Sequence, residues 1–143
     1  MKITGSSVVA LPPEKAYETM QDPLVLARCM PGCESLEKIG ENEYKMKMKM
    51  ALASLSGAFE GKVKITDQSP PSSFRLLVEG NGKIGFMKGE GLLKLTPQGD
   101  ATEVIYEGDV QVGGTMAAVG QRLIDATAKM MIKRFFEKLA TSA

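Results

Sequence analysis

The sequence predicts an α+β fold. A curved antiparallel sheet of about seven strands wraps around one long C-terminal helix, with two short helices after the first strand. Three observations predict it. Between Glu34 and Val112 the apolar residues recur mostly at every second position, the period of half-buried strands. The stretch from Gly114 to Ala140 is free of proline and repeats its apolar residues at helical spacing. Two proline-led segments separate the first strand from the rest. A chain of 143 residues is long enough for one domain with a real core, and no linker or repeat divides it, so residues 1–143 are read as a single domain.

Lys2 to Leu11 reads as the first strand, with Ile3, Val9 and Leu11 on one face. Pro12-Pro13 stops it and opens a helix whose apolar side is Ala16, Tyr17 and Met20. Asp22 caps a second short helix, Pro23 to Met30, which Pro31-Gly32 ends. Ser35 to Ile39 is a strand, and Gly40-Glu41-Asn42 a turn. Tyr44-Lys-Met46-Lys-Met48-Lys-Met50 is the cleanest alternation, apolar on one face and lysine on the other. Ser54 to Gly57 reads as a turn. Phe59, Val63 and Ile65 face inward on the next strand, and Asp67 to Ser73 reads as a loop. Phe74, Leu76 and Val78 mark a further strand. Met87, Leu93 and Leu95 face inward on another, and Thr102 to Val112 is the last. In the terminal helix, Met116, Val119, Leu123 and Met130 form the predicted buried face. Ile124, Met131 and Phe135 lie on its flank, and Thr115 is the expected cap. Such a helix is roughly 40 Å long and is the one element able to cover the sheet, an arrangement of helix-grip type.

Composition narrows the function. A net charge of +1 gives no overall field to recruit nucleic acid, and none is expected as a partner. No apolar run is long enough to span a bilayer, and the N-terminus begins as a strand rather than a signal peptide. A cytoplasmic protein is the expectation. The sequence has no histidine, which removes Ser-His-Asp and Cys-His catalysis and the commonest metal ligand. Cys29 and Cys33 are expected as free thiols, since no further Cys or His completes a tetrahedral metal shell. No metal, cofactor or catalytic residue is predicted.

Gly80-Asn-Gly82-Lys-Ile-Gly85 matches G-x-G-x-x-G by letters, but no helix follows to receive a pyrophosphate. These glycines, with Gly89 and Gly91, read as a kinked or bulged hairpin, or as room for something to approach the backbone. The methionines on predicted inward faces fit either a Met-rich core or an adaptable binding surface. Inward glycines and small helix residues leave space unfilled, which favours an apolar pocket. Lys45, Lys47 and Lys49, beside Lys62 and Lys64, form an outer stripe that is either a solvated face or a docking surface for an acidic partner or an anionic membrane. Glu90, Glu103, Glu107 and Asp109 fall on outward faces. Tyr106 and Tyr44 are the hydroxyls able to enter a cavity.

Pro31-Gly-Cys-Glu-Ser-Leu-Glu37, Gly57-Ala-Phe-Glu-Gly-Lys-Val63, Gly85-Phe-Met-Lys-Gly-Glu-Gly91 and the segment from Tyr106 to Leu123 resemble the G-subunit family of carbon monoxide dehydrogenase. That family belongs to the START-like, polyketide cyclase superfamily with the helix-grip fold. The resemblance covers nearly the whole chain. It implies a cavity between sheet and terminal helix that holds an apolar small molecule. It also implies an accessory role beside a molybdenum-containing CO dehydrogenase or related hydroxylase. Some members carry a longer C-terminal tail thought to reach the membrane. This sequence stops at Ala143, so peripheral contact with the inner face of a membrane is the most that is expected.

The leading reading is a non-catalytic carrier for a hydrophobic molecule, such as a quinone or lipid. Its expected lining is Leu26, Met30, Met48, Met50, Phe59, Met87, Tyr106, Met116, Val119, Gly120 and Leu123. Gly120, on a helix face, is expected to serve close approach of ligand or strand, because glycine there costs about 1 kcal/mol relative to alanine. Ligand contact is expected along Thr115–Leu123, and plain packing along Met130–Leu139. One alternative is an assembly or recruitment factor acting through Lys45, Lys47 and Lys49. Another is a cyclase- or hydrolase-like enzyme using Tyr106.

Overall fold

The structure is a computed structural model that describes residues 1–52 and 55–142. Its strands are β1 (Lys2–Val9), β2 (Cys33–Gly40), β3 (Glu43–Leu52), β4 (Leu55–Ser69), β5 (Ser73–Gly82), β6 (Gly85–Gln98) and β7 (Ala101–Gly113). They form one antiparallel sheet in the order β1-β7-β6-β5-β4-β3-β2. Strands two to seven are a meander. The first strand closes the far edge by pairing with the last, from Lys2 opposite Asp109 to Val9 opposite Thr102.

The helices α1 (Pro13–Thr19) and α2 (Pro23–Cys29) carry the chain from the β1 edge to the β2 edge. Pro13 occupies the first turn of α1, where a missing N–H costs nothing. The Asp22 carboxylate accepts a 2.9 Å bond from the Leu24 N–H and caps α2, as its position before Pro23 predicts. Tyr17 of α1 packs edge-on against Phe74 and donates from its hydroxyl to the Ser73 carbonyl at 2.9 Å. The buried Thr102 hydroxyl donates to the Leu11 carbonyl at 2.7 Å and ties the end of β1 to β7. The alternation of β3 buries Tyr44, Met46 and Met48 with Phe59, Val63 and Ile65 of β4, while the intervening lysines stay exposed.

Several expectations need correction. The turn expected at Ser54–Gly57 begins on residue 54, outside the described residues; its other three residues, Leu55, Ser56 and Gly57, belong to β4. The expected loop Asp67–Ser73 is shorter, because β4 continues to Ser69 through a register shift after Thr66. Asp67 there has φ +49 and accepts from Arg75 Nε at 3.1 Å. The glycine hairpin carries no bulge, since β5 and β6 pair without interruption from Ser73–Lys94 to Gly82–Gly85.

The terminal helix is not continuous. A 3₁₀ segment, Gly114–Val119, precedes α3 (Gln121–Ser142), and Thr115 caps neither. Gly120 separates them with φ 101° and ψ 149°. This backbone region is essentially confined to glycine. Gly120 is exposed, and a Cβ built there would meet nothing within 4 Å. Its glycine therefore serves a backbone angle, not close approach. Gly120→Ala is expected to lower stability by about 1–3 kcal/mol, read as a fall in Tm, with ligand binding unchanged.

Candidate functional site

Among the elements it packs on, α3 meets α2 and approaches the sheet mainly at β1 and β3. Over the middle strands it stands off, and the gap is a cavity of about 330 Å³. That volume falls in the range, about 300–1,000 Å³, of small-molecule pockets. The roof is one stripe of α3 at helical spacing: Ile124, Thr127, Ala128, Met131, Ile132, Phe135 and Phe136. The floor comes from inward positions of the sheet. Met46, Met48 and Met50 stand on β3, Phe74, Leu76 and Val78 on β5, and Met87 and Leu93 on β6. Tyr106, Val110 and Val112 stand on β7. Met20, Leu26, Met30, Pro31 and Met116 close the ends.

Two features make this space. Every methionine of the chain except Met130 stands in the wall. Unbranched thioether chains adapt to irregular shapes and make favourable contacts with rings. The inward positions Gly89, Gly91 and Gly108 also line the cavity, so the floor across β6 and β7 is bare backbone. Gly91 and Gly108 are direct cross-strand partners. An aromatic group bounds one side: Phe136 stacks on Tyr106 at 5.8 Å and meets Phe135 edge-on at 5.3 Å.

Polar groups are few. Tyr106 and Thr127 supply hydroxyls; Glu90 and Glu107 border the cavity but occupy outward register positions and are exposed. No lysine or arginine is in the described wall. Such a wall solvates neither a carboxylate nor an ammonium, so it fits an uncharged, largely apolar molecule. Cys29 is buried, and burial pushes the half-buried Cys33 thiol above its ordinary pKa. Among the described residues no three His, Cys, Asp or Glu side chains gather to hold a metal ion.

The structure brings seven of the eleven expected lining residues to this cavity: Leu26, Met30, Met48, Met50, Met87, Tyr106 and Met116. Four lie elsewhere. Phe59 is 1% exposed and packs in the core, over Gly80 and Gly82. Val119 and Leu123 pack against the core without reaching the cavity, and Gly120 points to open space. The expected division of the helix is thus reversed. The stretch from Ile124 to Phe136 lines the cavity, while Val119–Leu123 does not, and Met130 is 41% exposed. The break at Gly120 explains the error. A face phased from Met116 through a continuous helix selects Leu123 and Met130; restarting at Gln121 rotates Ile124, Met131 and Phe135 inward. Met20 reads on the apolar side of the first short helix, but Met131, Phe135 and Phe136 are readable only as apolar residues of unfixed direction.

Lys45, Lys47 and Lys49 are exposed on the outer face, yet they do not form a purely basic stripe. Lys45 stands beside Glu37 and Lys47 beside Glu60, while Lys49 lies 3.9 Å from Glu34 and Lys64 lies 4.0 Å from Glu43. Interleaved carboxylates cancel most of the field of the lysines, and such exposed pairs contribute little to stability.

The model of the CoxG family, the G subunit of carbon monoxide dehydrogenase, matches residues 5–143. A crystal structure of a conserved protein from Geobacillus kaustophilus shares 36% identity and a TM-score of 0.94, over 99% of this chain and 94% of that one. A START superfamily protein from Mycobacterium smegmatis aligns at 14% identity and TM-score 0.74, covering 99% of this chain and 95% of its own. The ZhuI aromatase/cyclase from Streptomyces sp. R1128 aligns at 13% identity and TM-score 0.71, over 99% and 92%. The last two likenesses show the fold alone. No curated protein matches the chain. No helix among the described residues is long and apolar enough to cross a membrane.

Proposed function

Because the chain belongs to the CoxG family of carbon monoxide dehydrogenase, we propose that it is a non-catalytic carrier of an uncharged hydrophobic molecule, accessory to a molybdenum-containing CO dehydrogenase-type enzyme. One observation carries this reading: a cavity of about 330 Å³ whose wall, among the described residues, holds nine of the ten methionines and no lysine or arginine. A catalytic site needs convergent polar groups that act on a reacting atom. Here the described wall offers two hydroxyl-bearing residues, Tyr106 and Thr127, in an otherwise apolar lining, which supports binding over catalysis. A quinone or a neutral lipid suits the wall, because each presents long apolar surface and no formal charge. A quinone in addition suits a redox enzyme that must pass electrons on. The outer lysines, interleaved with carboxylates, lend less support to a role through the surface alone.

Mass spectrometry of organic extracts tests the proposal, using protein purified from the cells that express it natively. A neutral hydrophobe at close to one molecule per chain is the expected result. Extracts no richer than those of a variant with the cavity filled would overturn it.

A further inference from the structure

Tyr106 does not stand upright in the cavity. Its cross-strand partner on β1 is Gly5, and the tyrosine ring lies across it. A Cβ built on Gly5 would fall 2.5 Å from the Tyr106 hydroxyl oxygen and 2.7 Å from Cζ. Ile3, two residues earlier on the same face, lines the cavity, whereas Gly5 does not, because the ring covers it. From above, Phe136 of α3 stacks on the ring at 5.8 Å with an 18° interplanar angle. The ring is held between bare backbone below and an aromatic above.

We infer that Gly5 sets the width of the cavity by letting Tyr106 lie flat over β1. This rests on the carrier reading, since it concerns the same cavity. Any side chain at position 5 must displace the ring, because a 2.5 Å contact is far inside van der Waals distance. Phe136 blocks movement away from the sheet. The open direction is along the sheet, toward the bare floor that Gly91 on β6 and Gly108 on β7 leave. A ring displaced that way occupies cavity space over that floor. Gly5 is therefore a specificity-determining position although no ligand touches it. With glycine there, the cavity accepts a broad, ring-bearing apolar molecule.

Fluorescence titration with Nile red, a broad neutral ring probe, reads the effect in four proteins: the parent, Gly5→Ala, Tyr106→Leu and Gly5→Ala/Tyr106→Leu. Gly5→Ala is expected to weaken binding by about tenfold or more, the scale of overpacking a filled site. The double variant is expected to bind within about threefold of Tyr106→Leu, because alanine then has no ring to displace. Nuclear Overhauser contacts from the Tyr106 ring should move from Gly5 in the parent to Gly91 and Leu93 in Gly5→Ala. Parent-like binding by folded Gly5→Ala would overturn the inference. So would a double variant that binds about tenfold more weakly than Tyr106→Leu, and this comparison holds even where Gly5→Ala alone does not fold. A parent protein that binds no hydrophobe defeats the carrier reading instead.

Discussion

Gly91→Val is expected to abolish most ligand binding while leaving the protein as stable as before, or more so. Gly91 lies on an interior strand of the sheet, between Leu76 on β5 and Gly108 on β7, with its absent side chain aimed at the cavity. A Cβ there meets the Glu107 carbonyl oxygen at 3.5 Å and Gly108 Cα at 3.9 Å, ordinary contacts that require no rearrangement. The backbone angle is one that other residues adopt, since no positive φ occurs at this position. Valine suits strands, and replacing glycine restricts the unfolded chain, which together contribute about 0.5–1 kcal/mol. The new methyl groups instead occupy the space that the ligand needs. Affinity for a neutral hydrophobic probe should fall by about 30- to 100-fold, as overpacking of about 2–3 kcal/mol implies. Thermal unfolding and probe titration on the same sample check both halves. Retained affinity in Gly91→Val would show that the bare β6–β7 floor is not part of the binding surface.

The sheet half of this cavity was legible in the sequence; the helix half was not. Tyr44 to Met50 alternates methionine with lysine, and on a sheet that pattern has one solution, methionine inside. Helical residues offer less. An apolar set spread around a helix fixes a face only if the phase is known, and the phase depends on where the helix starts. Gly120 looks like one weak residue within a long helix, but its φ of 101° ends one element and lets the next begin. Met116 was correctly turned inward and Leu123 was not, because they sit on opposite sides of that break.

The glycines divide in a way the letters do not show. Along the chain they suggested bulges or a backbone left open for a ligand. Three of them instead lie directly across the sheet from an aromatic residue: Gly5 from Tyr106, Gly82 from Phe59 and Gly113 from Phe86. In each pair a Cβ built on the glycine comes within 3.3 Å of the partner's ring. A ring lying over a glycine covers backbone that no side chain protects. The pairing depends on register, which turn lengths fix across dozens of residues, so it cannot be read along the chain. It also explains why some glycines mark filled space and others empty space. Gly82 and Gly5 are covered by rings, whereas Gly89, Gly91 and Gly108 face no aromatic partner and form the cavity floor.

Phe59→Ala separates these two uses of glycine and carries the largest expected loss of stability. Phe59 is 1% exposed on β4, between Met48 on β3 and Gly82 on β5. Truncating a buried phenylalanine costs about 3–5 kcal/mol, and the cost depends on how well the site collapses. Here collapse is poor, because the neighbouring inward positions on β5 are Gly80 and Gly82, which have no side chains to move in. The loss should lie toward the upper end of that range, a large share of a total stability of about 5–15 kcal/mol. Urea unfolding measures it. Probe affinity in the folded fraction should stay within about threefold of the parent, since Phe59 packs outside the cavity wall. The opposite pattern, a stable Phe59→Ala with weakened binding, would return Phe59 to the cavity, where the sequence had placed it.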